Sequence, residues 1–280
     1  MSKIYKLILS SIVGLLAIFI IFIVYRAIPA LSNIDSYKPF EFNYSNEVTD
    51  FKGNKMDIKA SKSDLVIEGI DGDNIILEGT VIIKAKNKAE AEELYNNCCN
   101  FKLKNDKVLL TMEDFKKNGI VTTSSSLNLR VPKQVKVSVN VESGDIKAKH
   151  LDQGLFLNVK KGDLTVKDIE GLMEWDITSG NINADRLNGK LSLTAVDSNI
   201  TLNELSVTSE SEISLKNGNI EITMNEENPI NVLAKTVVGK IGGNRTWTLG
   251  NSSYYESNTD SNAVKLILDN IHGNITVDNF

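Results

Sequence analysis

This chain predicts an all-β fold: a β-solenoid of about 18–21-residue repeats with a short helical insertion, preceded by one N-terminal transmembrane helix. Three observations carry that expectation. A Gly-Asp/Asn-Ile pattern returns seven times in register, apolar residues alternate on both sides of it, and an uncharged apolar run lies near the start.

The apolar run comes first. Leu7 to Tyr25 is 19 residues without a charge, long enough for a helix to cross a hydrocarbon core of roughly 30 Å. It exceeds the apolar region of a secretory signal, and no small-residue cleavage site follows it closely, so an uncleaved anchor is favoured over a cleaved signal. Lys3 and Lys6 precede the run and Arg26 follows it. That bias keeps the N-terminal end inside and the rest of the chain outside the cytoplasm. The expected organisation is a cytoplasmic tail at 1–6, a span at 7–25, a linker at 26–50 and an extracytoplasmic β domain at 51–280, with a helix-containing insertion at 73–126.

Within the β domain the turn motif is read at Gly144-Asp145, Gly162-Asp163, Gly180-Asn181, Ser198-Asn199, Gly218-Asn219, Gly239-Lys240 and Gly273-Asn274. Successive steps are 18, 18, 18, 20, 21 and 34 residues, and a period of this size marks a repeat architecture. Two places after each Gly, or the Ser replacing it, stand Ile146, Leu164, Ile182, Ile200, Ile220, Ile241 and Ile275. Five places before stand Val139, Leu157, Trp175, Leu193, Ile213, Ala234 and Leu268. Residues between them, such as Asn158, Thr165, Glu174, Asp176 and Asn183, are polar. A strand sends alternate side chains to opposite faces, so one face is buried and the other wet. Gly takes positive φ without a Cβ clash, and Asn or Asp tolerates such turns. Either a two-residue hairpin turn or the corner between stacked coils would use this chemistry. The same residue class after every Gly favours the corner.

The register also occurs once upstream. Met56, Ile58, Ala60, Ser63, Leu65 and Ile67 match the later columns, which adds a copy at Ser63-Asp64-Leu65. Between that copy and the repeats, Ile75 to Lys84 reads as a strand and Lys88 to Asn97 as a helix rich in Ala, Glu and Leu. Phe101 to Met112 reads as a hairpin, and residues 250–263 read as a polar loop that lengthens the last step.

Charge bears on two classes of partner. The net charge is −5, and the chain beyond residue 30 carries 28 basic against 36 acidic residues. Nucleic acid demands a basic face, so no nucleic-acid partner is expected, and the same balance is not expected to attract anionic lipid. Cys98 and Cys99 are adjacent and form no Cys-x-x-Cys pair, so neither a zinc site nor a disulfide framework is expected.

The best enzymatic case is a pair of outward carboxylates, Glu174 and Asp176, with Asp163 nearby in a stack. Glycoside hydrolysis uses two such groups. Exposed acids are ordinary on a soluble surface, and Trp175 falls on the buried column. Asp145 and Asp163 are read as turn residues ahead of a calcium pair. His150 and His272, the two histidines, sit at non-equivalent places. No catalytic residue, cofactor or metal is expected.

The Gly-Asp/Asn-Ile repeats, with the Lys88-Ala89-Glu90-Ala91-Glu92-Glu93-Leu94 helix before them, resemble the bacterial putative-adhesin family of domains of unknown function. That family has a toast-rack-like β-solenoid. The resemblance covers about residues 55–277 and departs from the pattern at Ser198 and in the last two repeats. It implies a membrane-anchored envelope protein without enzymatic activity, an adhesin-like binding module or a component of an envelope-stress response. Its partner would be a protein or an envelope component. A polysaccharide-active enzyme and a structural spacer or assembly partner are the alternatives.

Overall fold

Alternation decides which way each strand faces, and two long strands decide how the sheet closes. The structure is a computed structural model that describes residues 37–104, 107–112, 116–117, 120–121, 123–224, 230–251, 254–256 and 263–279. Its strands are β1 (Lys38–Val48), β2 (Lys55–Ile70), β3 (Ile75–Ala85), β4 (Cys99–Lys104), β5 (Lys107–Met112), β6 (Lys116–Lys117), β7 (Ile120–Val121), β8 (Thr123–Pro132), β9 (Lys136–Ser143), β10 (Ile146–Leu151) and β11 (Leu155–Lys161). They continue as β12 (Leu164–Ser179), β13 (Ile182–Asp197), β14 (Ile200–Val207), β15 (Ser211–Asn217), β16 (Ile220–Met224), β17 (Ile230–Val238), β18 (Ile241–Gly242), β19 (Thr248–Asn251), β20 (Tyr254–Glu256), β21 (Val264–His272) and β22 (Ile275–Asn279). The helix α1 spans Lys88–Cys98.

The 16-residue strands β2 and β12 each bend across two ladders. The first part of β12 pairs with β10 and its second part with β11. In turn β10 pairs with β2, and β2 pairs with β9, which pairs with β11. The result is a closed ring of five parallel strands, with the remaining strands outside it. Apolar residues interdigitate in the interior because the registers match. Leu65, Ile146, Leu164, Ile182, Ile200, Ile220, Ile275 and Ile241 follow one another as paired neighbours on one ladder. On the other ladder the row is Ile58, Val139, Leu157, Trp175, Leu193, Ile213, Leu268 and Ala234. All sixteen except Ile241 are buried in one continuous core.

The outer strands extend the pairing outward from β2. β3 pairs antiparallel with both β1 and β8, and β8 runs parallel to β2. β4 pairs antiparallel with β5, which runs parallel to β2 on the second ladder. The helix packs by Ala91, which is fully buried, and by Tyr95, whose ring stacks on Phe42 at 4.5 Å. Asn87 caps its start by accepting the Glu90 N–H at 3.0 Å.

Three expectations are corrected. The fold expected from the repeat, a solenoid of coils stacked in chain order behind a transmembrane helix, gives way to an all-β structure built on the closed ring with outer strands. The reason is that β2 and β12 each run through both ladders, so the pairings of β2 with β10 and β9 and of β12 with β10 and β11 join end to end. Chain order is also broken at the far end: β22 lies between β16 and β18, and β21 between β15 and β17. Among the described residues no helix is long and apolar enough to cross a membrane, and the span expected at Leu7–Tyr25 lies outside them. The segment assigned to a linker at 26–50 contains β1, which pairs along its whole length with β3.

Candidate functional site

Three surface features repeat from layer to layer, and each begins with a residue choice in the sequence. The first is the Gly-Asp/Asn corner. Gly162 and Gly180 hold φ of +152° and +136°. A Cβ on Gly180 would lie 1.9 Å from the Gly162 carbonyl oxygen, and one on Gly162 would lie 2.0 Å from that of Gly144. The backbones stack too closely for any side chain. The residue after each Gly then supplies a hydrogen bond to the next layer. Asp145 N–H donates to Asp64 Oδ1 at 2.9 Å, Asp163 N–H to Asp145 Oδ1 at 2.9 Å, and Asn181 N–H to Asp163 Oδ1 at 2.8 Å. Asn219, Asn274 and Lys240 continue the row through the Oδ1 atoms of Asn199, Asn219 and Asn274. Asn199 instead uses its side chain, Nδ2 donating to Asn181 Oδ1 at 3.4 Å.

The corner residues therefore form one row, and their side-chain oxygens accept backbone N–H groups that would otherwise go unpaired. Ser63 and Ser198 occupy the Gly position without positive φ. Ser63 is buried and accepts the Ser125 hydroxyl at 2.7 Å. Gly239 also lacks the positive φ of Gly144, Gly218 and Gly273. Among the described residues no three His, Cys, Asp or Glu groups are placed to hold a metal.

The second feature escaped the sequence analysis. His150, Asp168, Arg186 and Glu204 stand 18 residues apart and all take φ between 52° and 59°. Left-handed backbone is costly for residues with a Cβ, so this second corner carries strain in four successive layers. Asp168 stands between Arg186 and His150 along it. Arg186 binds Asp168 through Nε at 2.5 Å and Nη2 at 3.1 Å, and His150 Nε2 lies 3.3 Å from Asp168 Oδ2. The Arg186 hydrogen bonds hold the Asp168 carboxyl below its ordinary range, and Asp168 raises Arg186 in return. One layer earlier, Lys149 lowers Glu68 in the same way. The signal was available at the sixth place after each Gly, but the four residues share no type.

The third feature is an open groove of about 390 Å³ on the outward face of the second ladder. Ser138, Phe156, Glu174 and Ser192 form one wall column, and Asn140, Asn158, Asp176 and Thr194 form the next. Phe156 is an aromatic in an otherwise polar column, half-buried, with Lys136 Nζ 3.8 Å from its ring centroid. Trp175 lines the floor but is 2% exposed, its Nε1 donating to the Leu155 carbonyl at 3.1 Å. Glu174 and Asp176 are both exposed and open into this groove. Asp145 and Asp163 are not brought to it; they belong to the corner row. His272 contacts Asn217 at 3.1 Å, apart from His150. The side chains of Cys98 and Cys99 lie outside those described.

No protein-family model matches the chain, and no curated protein matches it. Among solved structures, a "putative cell adhesion protein" from Clostridium sporogenes is similar with a TM-score of 0.38 and 12% identity, over 87% of this chain and all of that one. A "putative adhesin" from Bacteroides fragilis gives 0.36 and 12%, over 85% and 97% of the two chains. A "putative lipid binding protein" from Parabacteroides distasonis gives 0.36 and 12%, over 85% and 96%. Scores of this size carry no argument about the fold or the site.

Proposed function

We propose that the chain is a non-enzymatic, adhesin-like binding module at the cell membrane, with its β domain outside the cytoplasm, and that the Phe156 groove is its contact face. One observation carries the proposal: an outward aromatic set in columns of amide, hydroxyl and carboxylate groups on stacked strands. The backbone beneath is fully paired, so the face is preorganised and binding costs little ordering. Its columns repeat at the strand spacing of about 4.8 Å, which suits an extended polar polymer such as an envelope polysaccharide. Phe156 supplies apolar contact, and Asn140, Asn158 and Thr194 supply hydrogen bonds.

Full-length protein should retain isolated cell-wall polysaccharide, and Phe156→Ala with Asn158→Ala should abolish that retention. The Asn183→Ala variant, on the other ladder, should not. Equal loss in both variants, or retention by the groove variant, would overturn the groove as the contact face. Protease added to intact cells should remove the β domain, and full protection would sink its placement.

A second reading is favoured by Glu174 and Asp176 sharing the groove. Two carboxyls beside a bound glycan are the equipment of hydrolysis. Release of reducing ends from cell-wall glycan, lost on Glu174→Gln, would replace the binding-module proposal with that one.

A further inference from the structure

The far end of the stack reverses the rule that governs its middle. In the middle layers Val141, Val159, Ile177, Ala195 and Leu215 point inward at one column. The next two members of that column are Asn270 and Thr236, both buried. Their chain neighbours Ile271 and Val237 point outward and are 43% and 65% exposed, and Val238 at the end of the strand is 57% exposed. Val237, Ile271 and Val196 line a groove of about 400 Å³ together with Lys216, Lys235 and Asp269. The corner beyond Val238 continues into Gly239 and the exposed Lys240. Lys216, Lys235 and Lys240 make no ion pair among the described residues.

We propose that this terminal corner docks on an anionic lipid surface. Exposed aliphatic tips beside ammonium groups that pair with no described carboxylate are the combination that interfacial binding uses: the tips enter the boundary of headgroup and acyl chain, and the lysines sit on phosphates. The remainder of an acidic protein, net −5, is repelled by such a surface, so charge selects this corner as the one that approaches. A second copy of the chain fits less well, because a two-fold contact sets the same lysines against one another. An added peptide strand also fits less well. β20 already pairs with β17 at Leu233 to Lys235, which interrupts that edge in the middle of the strand.

The test needs a local readout, so that attachment through another part of the chain is not scored. Full-length chain carrying Cys98→Ser, Cys99→Ser and Val238→Cys is labelled with an environment-sensitive fluorophore and mixed with vesicles containing a lipid-borne quencher. A matched protein carries the label at Asn183→Cys, an exposed mid-stack position. Quenching at 238 should exceed that at 183 several-fold with phosphatidylglycerol vesicles. It should fall to the level at 183 with phosphatidylcholine vesicles. Lys216→Glu, Lys235→Glu and Lys240→Glu together should abolish the excess with an unchanged circular dichroism spectrum. Equal quenching at the two positions, equal quenching by the two lipids, or a lipid-independent signal that grows with protein concentration would overturn the proposal.

Discussion

Two regions of one ladder obey opposite packing rules. Between Leu164 and Val207 the layers repeat every 18 residues, apolar side chains face in, and each corner hands a hydrogen bond to the next. Between Ser211 and Asn279 the spacing drifts, chain order is permuted, and Asn270 and Thr236 replace the inward aliphatics. Asn270 Nδ2 donates to the Gly218 carbonyl at 2.8 Å and Thr236 Oγ1 to that of Gly273 at 3.0 Å. The middle is held by burial, whereas the end trades part of that burial for side chains that tie down the corner itself. A repeat thus tolerates local inversion when the buried polar groups find backbone partners.

The largest expected effect tests the middle. Ile182→Asp places an unpaired charge at a fully buried position, which costs several kcal/mol or more. Cooperative thermal unfolding should vanish or shift far downward, and an unchanged melting curve would refute the shared core. Gly180→Ala comes next, since its Cβ meets a backbone carbonyl at 1.9 Å that cannot yield. A loss of about 3 kcal/mol in chemical denaturation is expected, and a loss below 1 kcal/mol would show that the corner relaxes.

The third prediction sets the two regions against each other. Leu215→Asn should cost about 3 kcal/mol because it empties apolar volume and buries an amide. Asn270→Leu, the reverse exchange one layer on, should stay within about 1 kcal/mol: it loses one hydrogen bond and removes a buried Oδ1 that has no partner among the described residues. Equal costs would erase the distinction between the regions.

The smallest effect concerns the strained corner. Asp168 is held below the usual carboxylate range. Its contribution is therefore present above the unfolded-state value and is lost as pH falls through the lower folded value. Arg186→Ala should flatten that acid limb, most visibly at low salt because the pair is partly exposed. An acid limb identical in the variant would remove the pair from the account.

These regions also differ in how far they could be read from residues alone. Columns such as Ile146 to Ile275 and Val139 to Leu268 were legible because period-two burial writes itself into the sequence. The helix over Lys88–Asn97 was legible from propensity, and it runs to Cys98. The closure of β2, β10, β12, β11 and β9 into a ring was not, since strand bending leaves no residue signature. Nor was the swap that sets Ile275 between Ile220 and Ile241, because identical columns cannot state their own order. The polar face containing Glu174 and Asp176 was legible, but Phe156 was not, because a single aromatic out of phase with the buried columns makes no pattern. The left-handed column failed for a different reason: backbone strain recurs there while residue type does not.

The permuted layers have a consequence for assembly. β17 and β18 rest on β21 and β22, which lie some 30 residues further along the chain. As the polypeptide is made or exported, residues 230–242 emerge before the surface they are to sit on. They must wait, unseated, until residues 264–279 arrive and slide in from the side. The growing end of the ladder is thus kept from closing until its last rung is in hand, so a nascent chain halted before Val264 would present an unfinished edge to any quality-control protease.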